Sequence, residues 1–216
     1  SEGSQGVGDF GDLKTMVDWM AATGQRVLQI LPIHDTTLTG ENTDSYPYNA
    51  ISVYAFHLMY VDLRALPPLP DAQKQAAFER EFRELNALSA IDYARVNKLK
   101  RDYLLLSFRS HGRELLKSQA FAAFAANSEE WLPAYAAFSA LRDKFGTPDF
   151  SAWPQHSAYD AQSVAKTFAP DSPDRESYDY YCYVQYLLHT QLSDVAAHAR
   201  RSGVVLKGDI PIGISR

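Results

Sequence analysis

Two stretches of this 216-residue sequence hold residue types that can do chemistry together. The first is Asp44-Ser45-Tyr46-Pro47-Tyr48-Asn49, in which flat aromatic rings alternate with hydrogen-bonding groups. That mixture suits a sugar: a ring face covers the C–H surface of a pyranose, polar groups take its hydroxyls, and a tyrosine supplies both. The same composition equally fits a loop whose tyrosines pack onto a core. The second stretch is GVVLKGDIPIGI, Gly203 to Ile214, where Asp209 follows the short apolar run Val204 to Leu206. In parallel α/β proteins, binding and catalytic groups collect at the carboxyl ends of strands, so Asp209 is the first residue expected to function. Its other reading is an acid capping a following helix.

The remaining candidates are weaker. GVGDFG, Gly6 to Gly11, fits G-x-G-x-x-G and is followed by a helix, a strand and Asp35, the outline of a dinucleotide-binding domain. No strand precedes those glycines, and Asp9 would face the phosphates with a negative charge, which favours a plain tight loop. The six histidines show no metal-ligand spacing, and only His34, at a strand end, stands out. Cys182 reads as packing, and Asp160, Asp171, Asp174 and Asp179 read as solvated. No metal or cofactor is expected.

These residues need a scaffold, and the pattern predicts an α-rich one. Leu13, Met16, Val17 and Met20 recur at helical spacing, and Gly24 ends that helix. Val27 to Leu31 reads as a buried strand closed by Pro32. His34 to Ser52 is a polar loop, Val53 to Leu63 packs it back on the core, and Leu66 to Pro70 is a rigid connector. Asp71 to Phe145 reads as a run of helices, with Leu99, Tyr103, Leu106 and Phe108 less regular than the rest. Gly146 to Asp174 is expected to be irregular. Ser177 to Arg201 is the longest helical pattern, with Tyr180, Val184, Leu187, Leu188, Leu192 and Val195 inward and Arg200 and Arg201 complementing its dipole. It leads to the final strand.

A formal net charge of -5 and a pI near 5.6, without a basic run, argue against a nucleic-acid partner. One cysteine excludes an internal disulfide, and no apolar stretch approaches the roughly 20 residues of a membrane span. The expected location is cytoplasmic. The sequence begins without a methionine and ends with no room for the helix a parallel strand needs next, so it reads as a piece of a longer protein.

GVGDFGDLK (Gly6 to Lys14), LQILPIHDTT (Leu28 to Thr37), DSYPYNAISVYA (Asp44 to Ala55), EEWLPAYAAFSALRD (Glu129 to Asp143), YVQYLLHTQL (Tyr183 to Leu192) and GVVLKGDIPIG (Gly203 to Gly213) together resemble the 4-α-glucanotransferases, the amylomaltase or disproportionating-enzyme family. Several blocks are most similar to the branch of the plant cytosolic disproportionating enzyme. The resemblance implies a (β/α)8 TIM barrel that moves α-1,4-glucan segments between maltooligosaccharides with retention. One carboxylate then acts as nucleophile and a second, about 5 Å away, as acid/base. Their motifs are not in this chain. Asp209 matches the supporting Asp of the family's first conserved region, and Tyr48 the tyrosine whose ring lies against the sugar at the cleavage point. Asp44, Ser45, Tyr46, Pro47 and Asn49 come with it as cleft lining, while His34 and Asp35 receive no role.

The expected architecture is α/β, a partial barrel (strands 2 and 3) with a large helical insertion. Residues 1–33 give the first barrel helix and second strand, 34–70 the substrate-cleft loop and connector, 71–174 the insertion, and 175–216 a long helix and the third strand. The fragment alone is expected to be inactive. The residues read without the resemblance leave a non-catalytic helical carbohydrate-binding or interaction module as the alternative.

Overall fold

The structure is a computed structural model and describes residues 3–214. Asp9 begins the first helix, α1 (Phe10–Ala22), through a reciprocal cap: its carboxylate accepts the Asp12 N–H at 3.0 Å and its own N–H donates to the Asp12 carboxylate at 3.2 Å. Val17 and Met20 are buried as the periodicity predicts, but Met16 is 45% exposed. Beyond Gly24, at φ 77°, runs β1 (Val27–Gln29), and β2 (Asn49–Ala50) follows in the loop.

The helices come next: α2 (Ala72–Asn86), α3 (Tyr93–Ser107), a π turn at Phe108–Gly112, the single turn α4 (Arg113–Leu115), α5 (Gln119–Asn127), α6 (Leu132–Phe145), α7 (Ala161–Thr167) and α8 (Arg175–Arg201). The π turn explains the irregular spacing around Leu106 and Phe108, since it breaks the 3.6-residue period. At Gly112 a β-carbon would sit 2.5 Å from Phe108 Cδ2 and 3.0 Å from Tyr183 Cδ2, so only glycine lets α8 approach here. The stretch predicted to be irregular contains α7, because Asp160 caps it by accepting the Ser163 N–H at 2.7 Å. Asp174 and Asp179 are likewise not merely solvated: they pair with Lys144 at 2.5 Å and Arg175 at 2.8 Å.

Tyr180, Tyr181, Tyr183, Val184, Leu187 and Leu188 of α8 are buried in the main core, which α3, α6 and the 55–69 segment complete. Val17, Met20, Ala199 and Val204 form a smaller cluster that fixes α1 and α8 beside β3 (Val205–Lys207), and β4 (Gly213–Ile214) follows. β1 pairs in parallel with β3, Val27 opposite Val205, and β2 in parallel with β4, Asn49 opposite Gly213. The reading of Val27 to Leu31 as a buried strand is corrected: Val27 is 54%, Leu31 60% and Val205 60% exposed. Among the described residues each sheet has two strands; Leu28 and Leu206 pack on the small cluster, while Val27 and Val205 are open on the other face.

Where the G-x-G-x-x-G outline suggested a phosphate cradle, a buried ionic knot stands instead. Lys100, fully buried, donates to the carbonyls of Met59 at 2.6 Å and Val61 at 2.8 Å and lies 3.9 Å from Asp9, while Arg64 holds the other Asp9 oxygen at 2.7 Å. The N-terminus of α1 is therefore filled by its own acid. Gly6, at φ 85°, is needed for close packing, since a β-carbon would meet Val96 Cγ2 at 2.8 Å and Leu85 Cβ at 2.9 Å. The dinucleotide reading is overturned by this geometry.

Burial pushes the Asp9 carboxyl up to about 6, against the pull of Lys100, and pushes the Lys100 ammonium down to about 8, against the pull of Asp9. Replacing Lys100 by Met strands two carbonyls and a buried acid, and is expected to cost about 3–5 kcal/mol in urea unfolding. Because the folded state binds the Asp9 proton more tightly, this contribution to stability is complete below the ordinary value of 3.8 and lost as pH rises through about 6. Asp9→Asn should flatten that part of the stability–pH curve; an unchanged slope would contradict the assignment.

Candidate functional site

The two parallel pairings decide where the candidate residues meet. β1 and β3 lie side by side, so the segments leaving their carboxyl ends start as neighbours, and the β2–β4 pairing joins those segments again further on. Tyr48 precedes β2 and Asp209 lies between β3 and β4. The Tyr48 hydroxyl donates to Asp209 Oδ2 at 2.9 Å, across 161 residues of chain, while Asp209 Oδ1 accepts the Ile210 N–H at 2.9 Å. The bond to Asp209, followed by desolvation and neighbouring charge, raises the Tyr48 phenol above its ordinary value.

The Tyr46 ring stands 5.7 Å from that of Tyr48, tilted by 51°. Tyr46 and Asn49 are exposed; Ser45, Pro47 and Tyr48 are half-buried. Two aromatic faces, a phenol and a fixed carboxylate thus share one open surface. Such a surface can hold a polyhydroxylated ring by its C–H face and its hydroxyls together. Among the described residues no cluster of His, Cys, Asp and Glu could hold a metal ion.

Asp44 has a different place from its neighbours. It is buried, and its Oδ2 accepts the backbone N–H groups of Leu38 at 3.0 Å, Thr39 at 2.9 Å and Gly40 at 2.6 Å. The carboxylate turns the loop rather than lining its surface. The Thr36 hydroxyl donates to the Asp44 carbonyl and ties the two ends of that turn.

Asp35 anchors the other side. Its carbonyl accepts the Ile51 N–H at 2.8 Å, just beyond β2, and its N–H donates to Ala55 at 2.9 Å. Its buried carboxylate accepts the Thr37 N–H at 2.9 Å and the Tyr135 hydroxyl, from α6, at 2.6 Å. Arg142, one face along α6, donates to the Thr37 carbonyl at 2.6 Å. From α8, Gln185 grips Phe56 by both backbone groups, accepting at 2.9 Å and donating at 2.8 Å. Buried His57 accepts the Met59 N–H at Nδ1, 3.1 Å, so the neutral ring turns its Nε2 proton to the Thr37 hydroxyl, 3.3 Å away. Burial holds its basicity below the ordinary value.

The residues Asp35, Tyr135, Arg142 and Gln185 were not predicted to serve the site. The available signal was a polar residue set into an otherwise apolar helix face, Gln185 between Val184 and Leu187 being the plainest case. His34 bridges Phe56 through its backbone, and its ring lies 5.8 Å from the Phe56 ring with Nδ1 buried and unbonded. Burial lowers its basicity too. Cys182 is buried as predicted, with its thiol pushed up to about 12 by desolvation.

The sequence model of the family described as 4-alpha-glucanotransferase matches residues 1–216. Curated relatives include the 4-alpha-glucanotransferase DPE2 of Oryza sativa subsp. japonica, 36% identical over 98% of this chain and 22% of its own. Another is the 4-alpha-glucanotransferase of Chlamydia muridarum, 32% identical over 100% of this chain and 40% of its own. Among solved structures, the amylomaltase of Streptococcus agalactiae in complex with acarbose superposes with a TM-score of 0.76 at 22% identity, over 99% of this chain and 42% of that one. The chain thus spans well under half the length of these relatives, and its fold is that of the corresponding part.

Tyr135→Phe removes one donor from a buried carboxylate without changing the ring. It is expected to lower stability by about 1–3 kcal/mol and to speed protease cleavage within residues 34–52; equal cleavage rates would show that α6 does not hold the loop.

Proposed function

We propose, from the premise that this chain belongs to the 4-alpha-glucanotransferase family, that the intact protein transfers α-1,4-glucan segments between maltooligosaccharides, or to glucose or glycogen, by a retaining double displacement. In this reading the chain supplies one wall of the substrate cleft. β1 and β3 are the second and third strands of a (β/α)8 barrel, residues 71–174 are an insertion between them, and the exposed Val27, Leu31 and Val205 are covered by the rest of that barrel. The parallel pairing of β1 with β3, with α8 leading directly into β3, supports this assignment.

The observation that carries the proposal is the bond from Tyr48 to Asp209. It links the two residues singled out independently, one for aromatic chemistry and one for strand-end position. Tyr48 stacks on the sugar at the cleavage point, and Asp209 both orients that ring and accepts a sugar hydroxyl. Tyr46, Ser45, Pro47 and Asn49 line the approach, and Asp44 keeps the loop in shape beneath them. Nucleophilic attack and protonation of the leaving oxygen need two further carboxylates, which the resemblance puts outside these residues. The solved amylomaltase is in complex with acarbose, which accords with a saccharide ligand for this reading. No described helix is long and apolar enough to cross a membrane, and a lone buried cysteine accords with a cytoplasmic enzyme.

The test is disproportionation of maltotriose. The 216-residue chain alone should give no longer products, and the full-length protein should give them. In the full-length protein Tyr48→Ala and Asp209→Ala should each lower kcat/KM about 10- to 100-fold, the range set by losing a hydrogen bond to a charged group. Transfer by the 216-residue chain, or wild-type activity in both variants, would overturn the assignment.

A further inference from the structure

We propose that His34 is a substrate-binding residue of the main cleft, its imidazole donating a hydrogen bond from Nε2 to a sugar hydroxyl near the unit held by Tyr48; this rests on the glucan-transfer reading above. Packing alone does not account for a histidine at this position. Its Nδ1 is buried without a partner, whereas the residue as a whole is half-buried, so the opposite edge of the ring, with Nε2, opens outward. An apolar ring of similar shape would fill the same space without stranding a buried polar atom.

The backbone sets the direction of the ring. His34 and Phe56 face each other across an antiparallel bridge, fixed by the Asp35 N–H donating to Ala55 at 2.9 Å and the His57 N–H donating to Ile33 at 3.0 Å. Side chains alternate along such a segment. On one side Ala55 and His57 are buried, Ile33 packs on the main core and Asp35 reaches Tyr135. His34 and Phe56 therefore take the other side, their rings 5.8 Å apart. Gln185 grips Phe56 by both backbone groups, so the bridge that carries His34 is anchored from α8.

The same bonds put His34 beside the site. The pairing of β1 with β3 continues to the Ile30 N–H, which donates to the Lys207 carbonyl at 3.0 Å. Asp209 lies two residues past that point on one strand and His34 four residues past it on the other. Both belong to the strand-end region where parallel α/β proteins gather their binding groups. The Asp35 carbonyl accepts the Ile51 N–H, and Tyr48 stands three residues before Ile51. Along these links His34 is at most about 20 Å from Tyr48.

The proton's place follows from the partners each nitrogen can reach. Nδ1 reaches none, so the proton sits on Nε2, where a hydroxyl oxygen can accept it. Burial holds the ring's basicity below its ordinary value and keeps it neutral at neutral pH. The exposed edge is thus an uncharged N–H donor, which suits a sugar hydroxyl and gives no net attraction to an anion.

The test measures maltotriose kinetics in the full-length protein with His34→Phe and His34→Gln. His34→Phe keeps a ring beside Phe56 and removes both nitrogens. It should raise KM about fivefold, as losing one uncharged hydrogen bond predicts, with kcat unchanged and a urea-unfolding midpoint no lower than wild type. His34→Gln restores an N–H donor and should bring KM back toward wild type. Wild-type KM in His34→Phe, with kcat/KM still lowered in Tyr48→Ala, would overturn the His34 contact and leave the transfer site standing. A lowered midpoint in His34→Phe, or the same rise in KM for both His34 variants, would make His34 a support of the bridge and overturn the contact too. A full-length protein that transfers nothing sinks both readings.

Discussion

The structure around the site depends on the satisfaction of one buried carboxylate. Asp35 is 3% exposed, and a charge taken out of water costs several kcal/mol unless the protein replaces its hydration. The Thr37 N–H and the Tyr135 hydroxyl do so. In meeting that requirement the chain folds the strand-end segment onto α6, and the main-chain groups of Asp35 are left aimed at Ile51 and Ala55. The loop's path follows from these four bonds.

The sheets could not impose that path. β1 and β3 share three register positions and β2 and β4 only two, well short of what an isolated sheet needs for stability. The helices supply the rigidity: Arg142, Tyr135 and Gln185 reach from α6 and α8 to successive points along residues 35–56. Asp44 then shapes the tip of the loop, and Tyr46, Tyr48 and Asp209 keep part of their surface toward solvent. The division is between polar groups spent on architecture and polar groups left facing solvent.

Long periodic elements were legible in the sequence. α8 and its inward residues follow from apolar spacing, and Gly203, at φ 67°, stops it as glycine commonly does. Tyr48 and Asp209 stood out in the sequence as candidates, but their contact did not, because hydrogen-bond partners 161 residues apart leave no local trace. Asp44 read like its neighbours for a different reason: its carboxylate faces inward to nearby backbone N–H groups, which every residue carries and no composition marks. The apolar run at Val27 predicted burial that these residues alone do not provide. The break at Phe108 was visible only as lost periodicity, since a π turn has no composition of its own.

The separation between Tyr48 and Asp209 also bears on the order in which the protein assembles. Closing an unstructured chain of 161 residues costs about 4–5 kcal/mol in entropy, more than one hydrogen bond and two short ladders return. The helices between them make mostly local contacts and can form without that closure. Once α6 and α8 are packed, the two ends are delivered side by side, and the remaining search is short. On this ordering the contact of Tyr48 with Asp209 forms after α6 and α8 have packed.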